Sequence, residues 1–222
     1  MLIPAIVFAD YELQKIEGWP VQVETKLIAD HRSTWEAVRR ELGNQLYRIT
    51  RVVPDGPLSK LRQVTIWVHW DDPGAPCMAY HPAAAWLREH KVNPAMEKGV
   101  ELANAKNFLS WTYEQPWMVM HELAHAYHHQ FLDKGFENAD VATAWKRITE
   151  SKKYESVLHY DGKNAKHYAL NNPMEYFAET TESYFGRNDF FPFVNAELKT
   201  FDSESEELMR RIWGPVQKRL MP

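Results

Sequence analysis

Three segments in the first half of the chain carry the residue pattern of β-strands. Residues 21–28 (VQVETKLI) alternate between apolar and polar side chains, as a half-buried strand does. Residues 64–68 (VTIWV) combine β-branched and aromatic side chains, which favour a strand, and residues 100–103 (VELA) form a weaker candidate. Between them, the PDGP sequence at residues 54–57 predicts a turn, and the proline-rich residues 71–82 predict a loop.

Helical spacing of apolar residues dominates the second half. In the first half it predicts one helix through Trp35 and Leu46, capped by Asp30 or Ser33, and a short helix at residues 83–90. Later helices are predicted at residues 117–134 with Gly135 as a left-handed stop, after Asn138, at residues 172–184, and after a capping box of Ser203 and Glu206. A hairpin is predicted from residues 157–160, the turn Asp161-Gly162 and residues 166–168.

These elements predict an α+β fold, with a small N-terminal sheet and its helices followed by a helical C-terminal half. We expect one domain over residues 1–222, with an α/β lobe at about 10–115, a helical lobe at about 116–222 and the active-site cleft between them. Of the 222 residues, 45% are hydrophobic and 25% charged, as in ordinary globular proteins. A core can therefore form without disulfides, and the single cysteine, Cys77, has no partner for one.

Charge and hydropathy limit the partners. The net charge is −4 with both signs interspersed, and no basic stripe is present, so we expect no nucleic-acid partner. No apolar run reaches the roughly 20 residues of a membrane span. We expect a monomer.

The apolar residues 2–9 (LIPAIVFA) leave the location of the protein open. No lysine or arginine precedes them, so they are not a complete signal peptide. They could be the tail of a truncated signal, with Val7 and Ala9 suiting cleavage before Asp10, in a secreted or periplasmic protein. The alternative is a buried first strand or a disordered start in a cytoplasmic protein.

The sequence HELAH at residues 121–125 lies within the helix predicted at residues 117–134. Residues four apart share a helix face, so His121 and His125 can aim their imidazoles at one zinc ion. Glu122 is displaced by about 100° around the axis, beside the metal, where it can act as a general base. The alternative interpretation is an amphipathic helix with a few buried, hydrogen-bonded histidines.

Two residues compete for the role of third ligand. His128 lies on the same face, but it is seven residues, or about 10.5 Å, from His121, which is too far for both to bind one zinc ion. We expect His128 instead to line the cleft or to contact one of the residues that bind the metal. Glu175 and Glu179 lie four apart on an otherwise apolar helix, where unpaired charge is costly. We therefore predict Glu175 as the ligand and Glu179 as a hydrogen-bond partner of a ligand histidine. The simpler alternative has Glu175 completing a helix cap with Asn172, and Glu182 suits an exposed position.

HELAH followed by a distant glutamate resembles the gluzincin metallopeptidases. More narrowly, YALNNPMEYFAE at residues 168–179 resembles the ligand helix of the anthrax lethal factor-like catalytic domains, in which a tyrosine stands seven residues before the glutamate ligand. The match covers about residues 117–186. It implies a zincin-like fold, zinc on His121, His125 and Glu175, Glu122 as general base and Tyr168 as hydrogen-bond donor to the oxyanion. Chemistry alone would also accept Tyr160 or His167 as that donor.

The resemblance implies a zinc-dependent peptidase that acts on a peptide or protein substrate. The size of the chain departs from the toxin lethal factors, because their large delivery domains would not fit within 222 residues. We therefore expect a stand-alone catalytic domain rather than a toxin. An extended zincin substrate commonly pairs with an edge strand, for which we take residues 100–103, with residues 64–68 as the main alternative. Two other functions remain open. One is a non-catalytic protein with structural zinc, and the other is a latent enzyme with the loop at residues 71–82 over its cleft.

Overall fold

The computed structural model describes residues 8–72 and 75–217. Most of the apolar segment at residues 2–9 lies outside this part of the chain. The helices and strands, in chain order, are β1 Tyr11–Ile16, β2 Trp19–Glu24, α1 Thr25–Asp30, α2 Arg32–Val52, α3 Asp55–Leu61, β3 Ile66–Val68, β4 Met78–Tyr80, α4 Ala84–Glu89, β5 Val100–Leu102, α5 Ala105–Trp111, α6 Met118–Phe131, α7 Ala139–Ser151, β6 Val157–Leu158, β7 Asn164–Ala165, α8 Pro173–Phe185, α9 Asn195–Phe201 and α10 Ser203–Trp213. Short 3-10 helices occupy Pro94–Met96, Gly135–Glu137 and Tyr168–Leu170.

The first five strands form one mixed sheet in the order β1-β2-β3-β5-β4. β2, β3 and β5 run parallel, while β1 and β4 are antiparallel edge strands. Glu17 and Gly18, both with positive φ, join β1 to β2 in the two-residue turn that suits the twist of a hairpin. The predicted small N-terminal sheet and helical second half are therefore confirmed as an α+β architecture.

One face of the sheet packs on helices. α6 contacts β4 on one side and α8 on the other, and α2 packs behind it. A single buried cluster contains apolar residues from the sheet, such as Val21 and Leu102, together with Leu123 of α6 and Phe177 of α8. The core therefore fixes α6 between the sheet and the C-terminal helices. None of the helices that the structure describes is long and apolar enough to span a membrane.

Several predicted helices are confirmed, with small shifts at their ends. α2, α4, α7, α8 and α10 lie where the apolar spacing places them. The cap of α10 is Asp202 rather than Ser203, because its carboxylate accepts a hydrogen bond from Ser205 N at 3.1 Å. α6 ends at Phe131, earlier than predicted, and Gly135 has its positive φ in the following 3-10 turn.

Four local predictions are wrong or only partly right. The predicted turn at residues 54–57 is the start of α3, because a proline in the first helical turn removes no hydrogen bond. The strand predicted at residues 21–28 ends at Glu24, and α1 follows. The predicted loop at residues 71–82 contains β4. In the hairpin, the second strand is Asn164–Ala165, since His167 instead caps the turn that begins at Tyr168.

The prediction of the sheet edge is also wrong. Residues 100–103 contain β5, which pairs with β3 on one side and β4 on the other. β3, in the alternative segment, is likewise paired on both sides. The edge next to α6 is β4, whose three residues are too short to stand out in the sequence.

Candidate metal centre

α6 carries two of the candidate ligands on the face next to its buried stripe. Met120, Leu123, Ala124 and Tyr127 are buried and anchor the helix in the core. His121 and His125 lie one turn apart, with their ring centres 4.8 Å from each other. Because the neighbouring stripe is packed, the two imidazoles extend from a fixed part of the backbone.

α8 brings the third candidate ligand to the same point. Its start is fixed by Asn172, whose side chain accepts a hydrogen bond from Glu175 N at 2.8 Å, and by Pro173 in the first turn. Glu175 therefore does take part in the cap, as the simpler alternative expected, but only through its backbone N–H. Its carboxylate is directed at the two histidines of α6.

The donor atoms of His121, His125 and Glu175 lie close enough together to hold one metal ion. Glu175 Oε2 lies 3.1 Å from His121 Nε2 and 3.4 Å from His125 Nε2, and all three donor atoms lie within 4.8 Å of one another. Two ligands that are each about 2.0–2.1 Å from zinc at a tetrahedral angle are about 3.3 Å apart. The two distances from Glu175 are therefore compatible with a tetrahedral ion such as zinc.

The other nitrogen of His121 is held by Glu182. His121 Nδ1 lies 2.8 Å from Glu182 Oε1 and 3.5 Å from Glu179 Oε1, so Glu182 is the nearer partner. Glu179 instead accepts a hydrogen bond from Asn188 at 2.8 Å. The expectation that Glu182 is exposed is wrong, since only 3% of it is accessible. Its position seven residues after Glu175 places it on the same face of α8, and this was the signal in the sequence.

Burial and neighbouring charges have opposing effects on the pKa values of His121 and Glu175. Burial would lower the pKa of His121, but its hydrogen bonds to Glu175 and Glu182 raise that pKa well above the usual value. Burial would raise the pKa of Glu175, but the two histidines lower it. Burial and mutual repulsion raise the pKa of Glu179 well above its usual range, and burial raises that of Glu182 to about 7. At these three donors a cation would therefore compete with a proton.

Glu122 and Tyr168 line one cavity together with His121. The volume of this cavity is about 380 Å³, and His121 is the donor among its described lining residues. Glu122 is half-buried, and 47% of Tyr168 is accessible. Partial burial, with the negative charge of Glu175 nearby, raises the pKa of Tyr168, so its phenol remains protonated and can donate a hydrogen bond.

His128 does not line this cleft, and that prediction is wrong. The residue is completely buried beside the rings of Phe136 and Phe177. Neither of its ring nitrogens has a hydrogen-bond partner among the described residues, so it contacts no ligand through them. Burial lowers its pKa to about 4, which keeps the ring neutral. Its neighbour His129 is half-buried, and the Nδ1 atom of His129 lies 2.8 Å from the Tyr80 hydroxyl.

A second group of histidines and carboxylates lies on the other face of the sheet and was not predicted. Glu101 of β5 is buried with His69 Nδ1 at 2.7 Å and His81 Nε2 at 2.6 Å. Both distances are shorter than the about 3.3 Å between two ligands of a tetrahedral zinc ion. The contacts form a network of ion pairs around Glu101, in which His81 Nε2 is hydrogen-bonded to the carboxylate and Asp72 lies 3.7 Å from His69 Nδ1. The sequence feature that could have indicated this group is the single glutamate between two apolar residues of the strand Val100–Leu102.

Comparison of the chain with protein-family models, with curated proteins and with solved structures finds no match. We therefore infer the function from the geometry of His121, His125 and Glu175 and from the residues around them.

Proposed function

We propose that this protein is a zinc-dependent peptidase with a zincin-like catalytic domain of the gluzincin type. One observation supports it above all: Glu175 Oε2 lies 3.1 Å from His121 Nε2 and 3.4 Å from His125 Nε2. Three protein ligands leave a fourth position open, as in catalytic rather than structural zinc sites. When bound, zinc supplies a Lewis acid that lowers the pKa of a water molecule to about 7.

Glu122 is the proposed general base. It directly follows His121 on α6 and lines the same cavity, so its carboxylate lies within the cleft beside the three donors. It takes a proton from the water that attacks the carbonyl carbon of the scissile bond. It then returns this proton to the leaving amine, which allows the C–N bond to break.

Tyr168 is the proposed stabiliser of the oxyanion. The 3-10 helix at Tyr168–Leu170 packs against α8, so the tyrosine is positioned by the same helix that carries Glu175. Its protonated phenol donates a hydrogen bond to the oxygen that gains negative charge as the water adds. Tyr160 and His167 are less suited, since Tyr160 is not among the cavity-lining residues and His167 is buried with its Nδ1 accepting from Ala169 N.

β4 is the proposed docking strand for an extended substrate. It forms the edge of the sheet next to α6, and the described sheet has no strand beyond it. An edge strand offers unpaired backbone N–H and C=O groups, with which a peptide can pair. This assignment replaces the two segments that the sequence suggested.

Substitution of Glu122 by Gln tests the proposal. The variant keeps the shape of the side chain but removes its ability to accept a proton, so we expect unchanged zinc content and a loss of peptide hydrolysis of about 10²- to 10⁴-fold. Cleavage of a peptide library and zinc analysis by mass spectrometry provide the two readouts. Glu150→Gln, an exposed substitution on α7, is the control.

Three outcomes would distinguish the alternatives. Unchanged hydrolysis by Glu122→Gln would contradict its role as the base. A zinc-loaded wild-type protein that cleaves no peptide would favour the non-catalytic function. Cleavage that appears only after limited proteolysis would favour a latent enzyme.

A further inference from the structure

The cavity beside His121 is lined by aromatic side chains and by several carboxylates. Trp111, His159, Tyr168 and Phe190 provide the rings, and the side chain of Met118 adds to the apolar surface. The volume of about 380 Å³ is enough for one long side chain of a substrate. Because His121 and Glu122 form one wall, a side chain in this cavity belongs to a residue next to the bond that is cleaved.

Asp189 is the buried acidic group of this cavity that is not committed to the donors. Only 4% of the residue is accessible. Its Oδ2 lies 3.4 Å from Gln115 Nε2 and 3.6 Å from His159 Nε2. Both contacts are longer than the about 2.7–2.9 Å of a charge-assisted hydrogen bond. A buried carboxylate with such weak contacts is costly unless a cation pairs with it.

His159 cannot balance this charge alone. Its other nitrogen, Nδ1, lies 3.0 Å from Asp161, so the ring is shared between two carboxylates. Glu179 and Glu182 also face the cavity, and they are bonded to Asn188 and His121. No lysine or arginine is among the described residues that line it. The carboxylate of Asp189 therefore lies in a partly desolvated space where only weak contacts balance its charge, and charge selectivity is strongest in such a space.

We propose that this cavity binds the side chain of a lysine or arginine next to the scissile bond, with Asp189 as the residue that determines specificity. The inference rests on the proposed peptidase function and names its class of substrate. The aliphatic stem of the substrate side chain packs on the aromatic rings, and its charged end pairs with Asp189. Asp189 contacts substrate only at this side chain and takes no part in the proton transfers.

A set of peptides that differ at one position tests the inference. Each has arginine, lysine, citrulline or norleucine on one side of the cleaved bond, and citrulline keeps the shape of arginine without its charge. We expect kcat/KM for the arginine peptide to exceed that for the citrulline peptide by at least about tenfold. Asp189→Asn should bring this ratio close to one, and Glu155→Gln, which neutralises an exposed carboxylate outside the cavity lining, should leave the ratio unchanged.

Binding of acetyl-arginine amide, with acetyl-citrulline amide as the neutral control, separates this inference from the proposed function. Calorimetry on the zinc-loaded protein should show tighter binding of the arginine compound and loss of that preference in Asp189→Asn. Equal binding of the two compounds, or an arginine preference that survives Asp189→Asn, would overturn the inference even if peptides are cleaved. Absence of cleavage with Asp189-dependent arginine binding would overturn the peptidase function and leave the cation pocket standing.

Discussion

The three glutamates of α8 have different roles although they lie on one helix face. Glu175, Glu179 and Glu182 are separated by four and then three residues, which directs all of them toward α6. Glu175 reaches the Nε2 atoms of both histidines, whereas Glu182 bonds to Nδ1 of His121. A carboxylate in the latter position fixes the ring orientation and makes the ligand nitrogen more basic.

This difference between Glu182 and Glu179 gives a prediction for zinc affinity. Glu182→Gln should weaken zinc binding by about 10- to 100-fold, because the hydrogen-bonded carboxylate on His121 is lost. Glu179→Gln, at 3.5 Å from the same nitrogen, should have a smaller effect. Competition with a chromophoric chelator measures both. An equal or larger loss in Glu179→Gln would show that Glu179 is the partner, as the sequence had suggested.

At the residue scale, the sequence predicted which side chains come together better than it predicted their surroundings. The spacing of His121 and His125, together with the paired carboxylates of α8, was enough to predict that the three donors come together. The environment of His128 could not be predicted, because its burial depends on Phe136 and Phe177, which come from other elements. For Glu182 the helical spacing was available, but its burial depends on how α8 packs against α6.

At the element scale, α6 and α8 are held together at their ends as well as by the donors. Trp117 precedes α6, and its ring lies directly against Gly186 at the end of α8. A Cβ atom at residue 186 would overlap this ring. The glycine is therefore required for close packing, and it fixes where α6 begins relative to α8.

Gly186→Ala should therefore destabilise the protein by about 1–3 kcal/mol, the usual cost of overpacking. Zinc affinity should fall as well, because Trp117 must move and α6 with it. Chemical denaturation with chelator competition measures both quantities. Gly56→Ala in α3, where a Cβ meets nothing within 4 Å, is the control and should change stability by less than about 1 kcal/mol. Equal effects of the two substitutions would contradict this packing argument.

The ion pair around Glu101 connects three parts of the sheet. Glu101 lies in β5, while His69 and His81 directly follow β3 and β4. The hydrogen bonds and charges of the two histidines outweigh the opposing effect of burial and lower the pKa of Glu101 from 4.5 to about 2. The network therefore stabilises the edge strand on which the proposed substrate docking depends.

Stability should fall in acid because of this network. A carboxylate with a lowered pKa stabilises the fold above its unfolded value of about 4.5, and this contribution, about 3 kcal/mol, is lost as the pH falls toward 2. Glu101→Gln should be less stable than wild type at pH 6, and the difference should shrink as the pH falls below 4.5. Denaturation at several pH values measures it, with the exposed Glu89→Gln of α4 as control. A difference that does not vary with pH would contradict the ionic role.

At the element scale, long amphipathic helices were predictable and short elements were not. α2, α7 and α10 have enough turns for an apolar spacing to be recognised. β4 has three residues between prolines, and α3 begins with a sequence typical of a turn, so both depend on tertiary contacts. The order of strands in the sheet, which decides which strand is the edge, is also a property of the whole fold.

At the scale of the whole molecule, the helix that carries two of the donors connects the sheet to the C-terminal helices. α6 packs on the sheet through β4 and on the C-terminal helices through α8, and the donors lie where α6 and α8 meet. An ion that binds only the folded protein adds to its stability in proportion to its concentration and affinity. Zinc should therefore raise the free energy of unfolding of the molecule as a whole.

The central claim is that one zinc ion binds between His121, His125 and Glu175. Diffraction data collected on either side of the zinc absorption edge from crystals of the zinc-loaded protein test it most directly. We expect one strong anomalous peak at about 2.0–2.1 Å from His121 Nε2, His125 Nε2 and the Glu175 carboxylate. The absence of a peak there, or a peak between His121 Nδ1, Glu179 and Glu182, would contradict the account.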